Sequence, residues 1–134
     1  MKKILVGYAG SVHGDKTSLE VAKQHAAAFK AKLMIVSSLE NVAERNIDEM
    51  DEVKKHLAYV KDNVEKAGIE CETHVLVRGL SPGEDLVNYA KENKVDEIII
   101  GIEKKSKVGK FLFGSNAQFI ILEAPCPVVC VKQI

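Results

Sequence analysis

The 134-residue chain lacks the features that mark several classes of protein. Its 19 basic and 19 acidic side chains cancel to a formal charge of zero. The chain therefore lacks the broad electrostatic attraction on which proteins that bind nucleic acids or anionic membranes generally rely. Any basic function must therefore be local, and we expect neither a nucleic acid nor a membrane as partner. No segment approaches 18 continuous apolar residues, so no membrane-spanning helix is predicted.

Cysteine is also scarce. There are three, an odd number, and the apolar run near the N-terminus is too short for a secretion signal. This combination indicates free thiols in a reducing compartment rather than a disulfide framework, so we expect a cytoplasmic protein. The sequence shows no internal repeat and no low-complexity linker, and its length fits one domain, predicted to cover residues 1–134.

Groups that carry out catalysis are missing from the sequence pattern. No nucleophile lies next to a base and no pair of carboxylates marks a site, so we do not expect an enzyme. The histidines show no metal-ligand spacing, and only His13 lies in a loop expected near a ligand. Cys126 and Cys130 lie four apart without a further ligand nearby, which favours core packing over a metal site.

What the sequence does contain is an alternation of short apolar runs and amphipathic segments. The longest amphipathic segment, Ala43–Ala67, has an apolar residue every three or four positions and a glycine stop at Gly68. Capping-box patterns predict the starts of the other helices, including Ser115 with Gln118. The predicted strands are Lys3–Val6, Ala31–Val36, Cys71–Val77, Glu97–Ile100 and Val128–Val131, and the remaining predicted helices are Thr17–Phe29, Ser81–Asn93 and Ser115–Glu123.

This β-α-β-α-β-α-β-α-β order predicts an α/β fold with a single doubly wound, Rossmann-like parallel sheet of five strands and four helices. Ligands of such sheets bind outside the carboxyl ends of the strands, where the winding reverses. The stretch Val95–Ser115 consists of a buried strand, a lysine-rich loop and a Gly-Ser that opens a helix. Because a helix N-terminus offers unpaired N–H groups and partial positive charge, this junction suits an anion.

Two loops qualify that interpretation. Four lysines within seven residues of the second loop are either a charged rim for phosphates or a solvated surface. The first loop, GSVHGDKT from Gly10 to Thr17, differs from a P-loop by one residue, because Asp15 stands where glycine is required. A carboxylate there would repel phosphate, so we reject a P-loop. The lysines of the second loop are Lys104, Lys105, Lys107 and Lys110.

Four stretches resemble the universal stress protein family, and the resemblance covers essentially the whole chain. They are KKILVGYAGS, VRGLSPGEDLVNYAKE, VDEIIIGIEKKSKVGKFLFGS and APCPVVCVK. The resemblance implies an adenine nucleotide alpha hydrolase-like sheet of strand order 3-2-1-4-5, in which the loops after Val6 and Ile100 face one crevice. It also implies a homodimer paired through the fifth strand, Val128 to Val131, which agrees with the hazard of an unpaired apolar edge.

The resemblance also implies a ligand. ATP-binding members of the family carry a glycine, two residues, a second glycine, nine residues and a Gly-Ser or Gly-Thr; Gly101, Gly114 and Ser115 match. ATP or another adenine nucleotide is thus implied, with magnesium accompanying ATP. Gly114 and Ser115 would hold the phosphates and Gly101 would admit the ribose. The backbone implied to border the base is that of Gly7, Ala9 and Val36.

Two positions depart from the family pattern. Lys104 replaces the second glycine, and its side chain must either swing clear or engage an anion. Ala9 stands where many members carry an aspartate.

The leading hypothesis is a sensor that binds an adenine nucleotide and changes its protein partners. The alternative is a dimeric interaction module of the same fold that binds no nucleotide, and slow ATP hydrolysis is a third option.

Overall fold

The computed structural model describes residues 2–8, 16–39, 47–103 and 114–133. Within these ranges, five strands alternate with four helices. The strands are β1 (Lys3–Gly7), β2 (Lys32–Ser38), β3 (Cys71–Leu76), β4 (Glu97–Glu103) and β5 (Val128–Gln133). The helices are α1 (Lys16–Phe29), α2 (Ile47–Lys66), α3 (Pro82–Asn93) and α4 (Ser115–Glu123).

The strands form one parallel sheet in the order β3-β2-β1-β4-β5, which confirms the predicted fold class and strand order. The central strand, β1, pairs with β2 from Lys3↔Lys32 to Gly7↔Val36. Its other neighbour is β4. The direction in which successive strands are added therefore reverses at β1.

Two apolar clusters cover the two faces of the sheet. Alternate residues of β1 belong to different clusters because successive strand side chains point to opposite faces. Ile4 and Val6 pack with α1 and α2, whereas Leu5 packs with α3 and α4. All three side chains are buried, and each contributes about 1.5–3 kcal/mol of transfer free energy. The continuous apolar run at the start of the sequence thus marks a strand that is covered on both faces.

Three of the four helices, α1, α2 and α3, end at a residue with a positive φ. After α2, Ile69 N–H donates to Val64 O and Gly68 N–H donates to Glu65 O, while Gly68 has a positive φ of 83°. This pair of hydrogen bonds is a Schellman motif, and it confirms the predicted glycine stop. Lys30 after α1 and Lys94 after α3 adopt similar positive φ values of 53° and 52°, although neither is glycine.

Several boundaries differ from the predicted ones. β2 continues to Ser38 and β4 to Glu103 because each keeps pairing with its outer neighbour, β3 or β5. The prediction that Ser115 is an N-cap is wrong, since α4 begins at Ser115 and Gly114 is the N-cap. Thr17 lies inside the first turn of α1 rather than before it. Ser81 is the N-cap of α3, but without a side-chain capping bond.

Residues 43–46, predicted to begin the second helix, lie outside the described residues. None of the described helices is long and apolar enough to span a membrane.

Candidate functional site

The carboxyl ends of β1 and β4 lie side by side at the reversal of the sheet. α1, which follows β1, packs on one face through Ala22 and Ala26. α4, which follows β4, packs on the other face through Ile120. The helices that follow β1 and β4 therefore lie on opposite faces, and in an open α/β sheet this divergence leaves a crevice outside the strand ends. Open α/β sheets bind their ligands at this kind of position.

The floor of the crevice at β1 is tightly packed. Gly7 is the last residue of β1, and a Cβ there would lie 3.2 Å from both Ile100 Cγ2 and Leu86 Cδ1. The next residue, Tyr8, donates its backbone N–H to the carbonyl of Val36 at 2.9 Å. Val36 is fully buried within β2. The structure thus places Gly7 and Val36 together, with the Val36 carbonyl already engaged by the protein.

The end of β2 reaches the crevice two residues beyond Val36. Ser37 Oγ donates to the Tyr8 carbonyl at 2.8 Å, which ties β2 to the residue that follows β1. Leu39 N–H donates to Leu76 O at 2.8 Å and keeps the strand paired with β3. Ser38, the last residue of β2, is therefore held in position from both sides.

β4 extends past the end of β1. In the described part of the chain, its pairing with β1 ends at Val6↔Ile99, whereas its pairing with β5 continues to Glu103. Gly101 was expected just after the strand but lies within it, opposite Val131. Gly101 is thus beyond the last pair with β1, on the stretch of β4 that borders the crevice.

The first turn of α4 provides the anion-binding geometry expected from the sequence. Gly114 has no side chain to cap the helix and adopts an extended conformation with φ −61° and ψ 157°. A Cβ at Gly114 would meet no described atom within 4 Å, and Gly114, Ser115 and Asn116 are all exposed. Backbone N–H groups at an open helix N-terminus can donate to an anionic oxygen.

An ionic cluster around a buried aspartate joins β2 to α3. Asp85, in the first turns of α3, is 0% exposed. Ser38 Oγ donates to Asp85 Oδ2 at 2.6 Å, and Arg78 Nε donates to Asp85 Oδ1 at 2.5 Å. Arg78 also donates to the Asp85 carbonyl at 3.1 Å and to both carboxylate oxygens of Glu92. Both oxygens of the buried carboxylate are therefore satisfied, as a buried charge requires.

A second contact joins α3 to α4. Gly83 N–H donates to Asn116 Oδ1 at 2.9 Å, so a side chain of one helix caps a backbone donor of the other. The backbones also approach closely, because a Cβ on Gly83 would lie 2.9 Å from the Asn116 carbonyl oxygen and 3.0 Å from its Cα. Asn116 directly follows Ser115, so this contact holds the first turn of α4.

Sequence reasoning missed Ser38, Gly83 and Asp85. One signal was available for Asp85, which shares a helix face with the buried residues Leu86 and Tyr89. An acidic residue on the apolar face of a helix requires a partner, because an unpaired buried charge is costly. Gly83 and its partner in α4 are 33 residues apart in the sequence, so no local sequence pattern predicts their contact.

Comparison with known proteins identifies the family. The model of the universal stress protein family matches residues 1–132. The chain belongs to this family. A universal stress protein of Thermus aquaticus is 30% identical over 143 aligned positions, covering 98% of each chain. A universal stress protein structure from Archaeoglobus fulgidus is 33% identical, with a TM-score of 0.88 and coverage of 98% of this chain and 99% of that one.

One further universal stress protein structure is a complex. It is also from Archaeoglobus fulgidus, was solved with dAMP, and is 30% identical with a TM-score of 0.82, covering 98% of each chain. That homologous universal stress protein thus binds dAMP.

Of the residues that the family pattern implies, the structure pairs Gly7 with Val36 and places Gly101 on β4 beyond the last pair with β1. Gly114 and Ser115 lie at the start of α4. Ala9 and Lys104, the two departures from the pattern, lie outside the described residues. His13, Asp15 and the other lysines of the second loop also lie outside them.

The cysteines of this universal stress protein occupy different environments. Cys71 is buried in β3, and burial, with the negative charge of Glu65, raises the pKa of its thiol to about 11. Cys126 is half-buried, but Cys130 is exposed, so the prediction that Cys130 packs in the core is wrong. Burial raises the pKa of the Cys126 thiol. The described residues contain no group of three or more histidine, cysteine or acidic side chains that could hold a metal ion.

Proposed function

We propose that this universal stress protein binds an adenine nucleotide, ATP or AMP, in the crevice between the carboxyl ends of β1 and β4. The observation that carries the proposal is the open, glycine-capped first turn of α4 at the reversal of the sheet. A phosphate is the anion that best matches such a turn. The homologous structure with dAMP supports the choice of an adenine nucleotide.

In this proposal, two walls border the crevice. At the α4 wall, the amides of Gly114 and Ser115 and the Ser115 hydroxyl would donate to phosphate oxygens, and Lys104 would add positive charge. At the β1 and β2 wall, the backbone of Gly7, Ala9 and Val36 would border the base. Gly101, on β4, would admit the ribose between them.

Magnesium would enter with ATP rather than occupy a dedicated protein site. Mg²⁺ is usually held by one or two carboxylates together with substrate phosphates. Because the described residues offer no cluster of three acidic, histidine or cysteine side chains, the phosphates would supply much of its coordination. We infer binding without turnover, in which the nucleotide changes partner interactions of a cytoplasmic stress-response regulator.

We also propose a homodimer paired through β5. This strand is at one edge of the sheet and carries the apolar residues Val128, Val129 and Val131. An exposed apolar edge strand is prone to pair with another chain, so a defined partner removes that hazard. Leu122 of α4, 78% exposed, adds apolar surface on the helix that precedes β5.

A thermal-unfolding titration with adenosine, AMP, ADP, ATP and GMP tests the nucleotide proposal. A ligand at one hundred times its dissociation constant stabilises the fold by about 2.7 kcal/mol, on the order of 10 °C for a chain of this size. We expect such a shift with at least one adenine nucleotide and a much smaller one with GMP. No shift with any adenine nucleotide at millimolar concentration would favour the interaction module without a nucleotide.

A further inference from the structure

The amino-terminal end of α3 contacts three elements that border the crevice. Through Asp85 it binds the Ser38 hydroxyl at the end of β2. Through Leu86 it packs beneath Gly7 at the end of β1. Through Gly83 it binds Asn116 in the first turn of α4. One short stretch of helix therefore contacts both walls of the crevice.

The contact between α3 and β2 consists of hydrogen bonds that hold the Asp85 carboxylate in one orientation. Asp85 accepts hydrogen bonds on both carboxylate oxygens, and Arg78 holds one of them while it also binds the Asp85 carbonyl. Glu92, two turns further along the same face of α3, holds the other side of the Arg78 guanidinium. Charge-assisted hydrogen bonds of this kind are short and strong, so the position of Ser38 follows that of α3.

The contact at α4 depends on the absence of a side chain. The Gly83 backbone approaches Asn116 so closely that a methyl group at position 83 would lie 2.9 Å from a backbone oxygen. Unlike the tip of a flexible side chain, a backbone oxygen in a helical turn cannot move alone. An alanine at position 83 would therefore displace the first turn of α4 relative to α3.

We propose that the amino-terminal end of α3 is a positioning element for the nucleotide, with separate contacts for its two parts. Gly83 sets the first turn of α4 for the phosphate, and Asp85 sets the end of β2 for the nucleoside through Ser38. The proposal rests on the proposed function of the crevice. Gly83 and Asp85 act through Asn116 and Ser38 and need not touch the nucleotide.

The two contacts predict different binding changes, measured by calorimetry with adenosine and with AMP. In Gly83→Ala, we expect the AMP-to-adenosine affinity ratio to fall about tenfold with adenosine affinity unchanged, because charge-assisted bonds to the phosphate are lost. In Ser38→Ala, we expect both affinities to fall about fivefold and their ratio to stay constant, the effect of one hydrogen bond.

Val64→Ala provides the stability control. Val64 lies in α2 and is buried against the opposite face of the sheet, so its truncation weakens the fold without altering these contacts, and both affinities should match the wild type. An unchanged ratio in Gly83→Ala, unchanged affinities in Ser38→Ala, or an equal change of ratio in Val64→Ala would overturn the positioning role alone. A wild-type protein that binds neither of these ligands, nor ADP or ATP, would overturn the proposed function as well.

Discussion

The Ser38 hydroxyl donates a 2.6 Å hydrogen bond to the carboxylate of Asp85, which is completely buried. This bond joins the last residue of β2 to α3 across 47 residues of sequence. Arg78 neutralises the same carboxylate from the opposite side, at 2.5 Å. The strand that borders the crevice is thus fixed by an ionic cluster rather than by apolar packing alone.

Removal of Arg78 should destabilise the fold strongly. Arg78→Met leaves the Asp85 carboxylate buried without its charged partner, which costs about 3 kcal/mol of unfolding free energy. Glu92→Gln is the control, because Glu92 is largely exposed and its pair with Arg78 contributes less than about 1 kcal/mol. Urea denaturation measures both. A loss in Arg78→Met no larger than in Glu92→Gln would show that the cluster does not hold α3.

The end of α3 offers a stabilising substitution. Lys94 has a positive φ of 52°, and Val95 N–H closes the helix by donating to Ala90 O. A left-handed conformation strains a residue with a Cβ, so Lys94→Gly should raise the unfolding free energy by about 1 kcal/mol. Lys91→Gly, inside the same helix and equally exposed, should lower it by about 1 kcal/mol. Urea denaturation of the two variants should therefore give changes of opposite sign.

Much of the fold could be predicted because its signals are local. The apolar runs of β1 and β4 and the periodic spacing of α2 each lie within one segment, and the strand order followed from the family resemblance. The predicted strand ends were less accurate, because β2 and β4 continue for as long as their neighbours β3 and β5 pair with them. In the candidate site, Gly114 and Ser115 were predicted from the glycine spacing of the family. Asp85 and Gly83 were missed because their partners lie far away in sequence.

The stability of the fold should fall in alkaline solution through Cys71. Burial raises the pKa of its thiol to about 11, above the ordinary value of 9.0 in the unfolded chain. The unfolded state therefore loses its proton first, and the stabilisation that is complete below pH 9 is lost as the pH rises towards 11. The loss from this one group is about 2 kcal/mol.

Cys71→Val removes the titrating thiol but keeps a small apolar side chain. Urea denaturation of both proteins between pH 8 and pH 10.5 isolates the contribution of Cys71, because other groups cancel in the difference. We expect a flatter pH profile for Cys71→Val. Parallel profiles would mean that the environment of Cys71 does not favour the neutral thiol.

A proline in β5 should separate the proposed dimer. Ile98 N–H donates to Pro127 O, so the alternation of a parallel ladder directs the backbone groups of Val129 towards β4 and those of Cys130 towards the outer edge. Cys130→Pro should therefore remove an outward donor and yield monomers in sedimentation velocity while the fold remains stable. Val129→Pro breaks the ladder with β4 and should instead lower the unfolding free energy. A Cys130→Pro protein that remains dimeric would place the interface elsewhere.

The most direct test of the nucleotide site is an amide-resolved NMR titration of the ¹⁵N-labelled protein with AMP. Binding in the crevice predicts saturable shifts of the backbone amides at the first turn of α4, Ser115 to Ala117, and at Tyr8 and Ser38. The amides of Thr73 to Val75, on the outer strand β3, should not move. No perturbation with millimolar AMP and none in a repeat with ATP, or perturbations confined to β3 and α2, would contradict a nucleotide site at the reversal of the sheet.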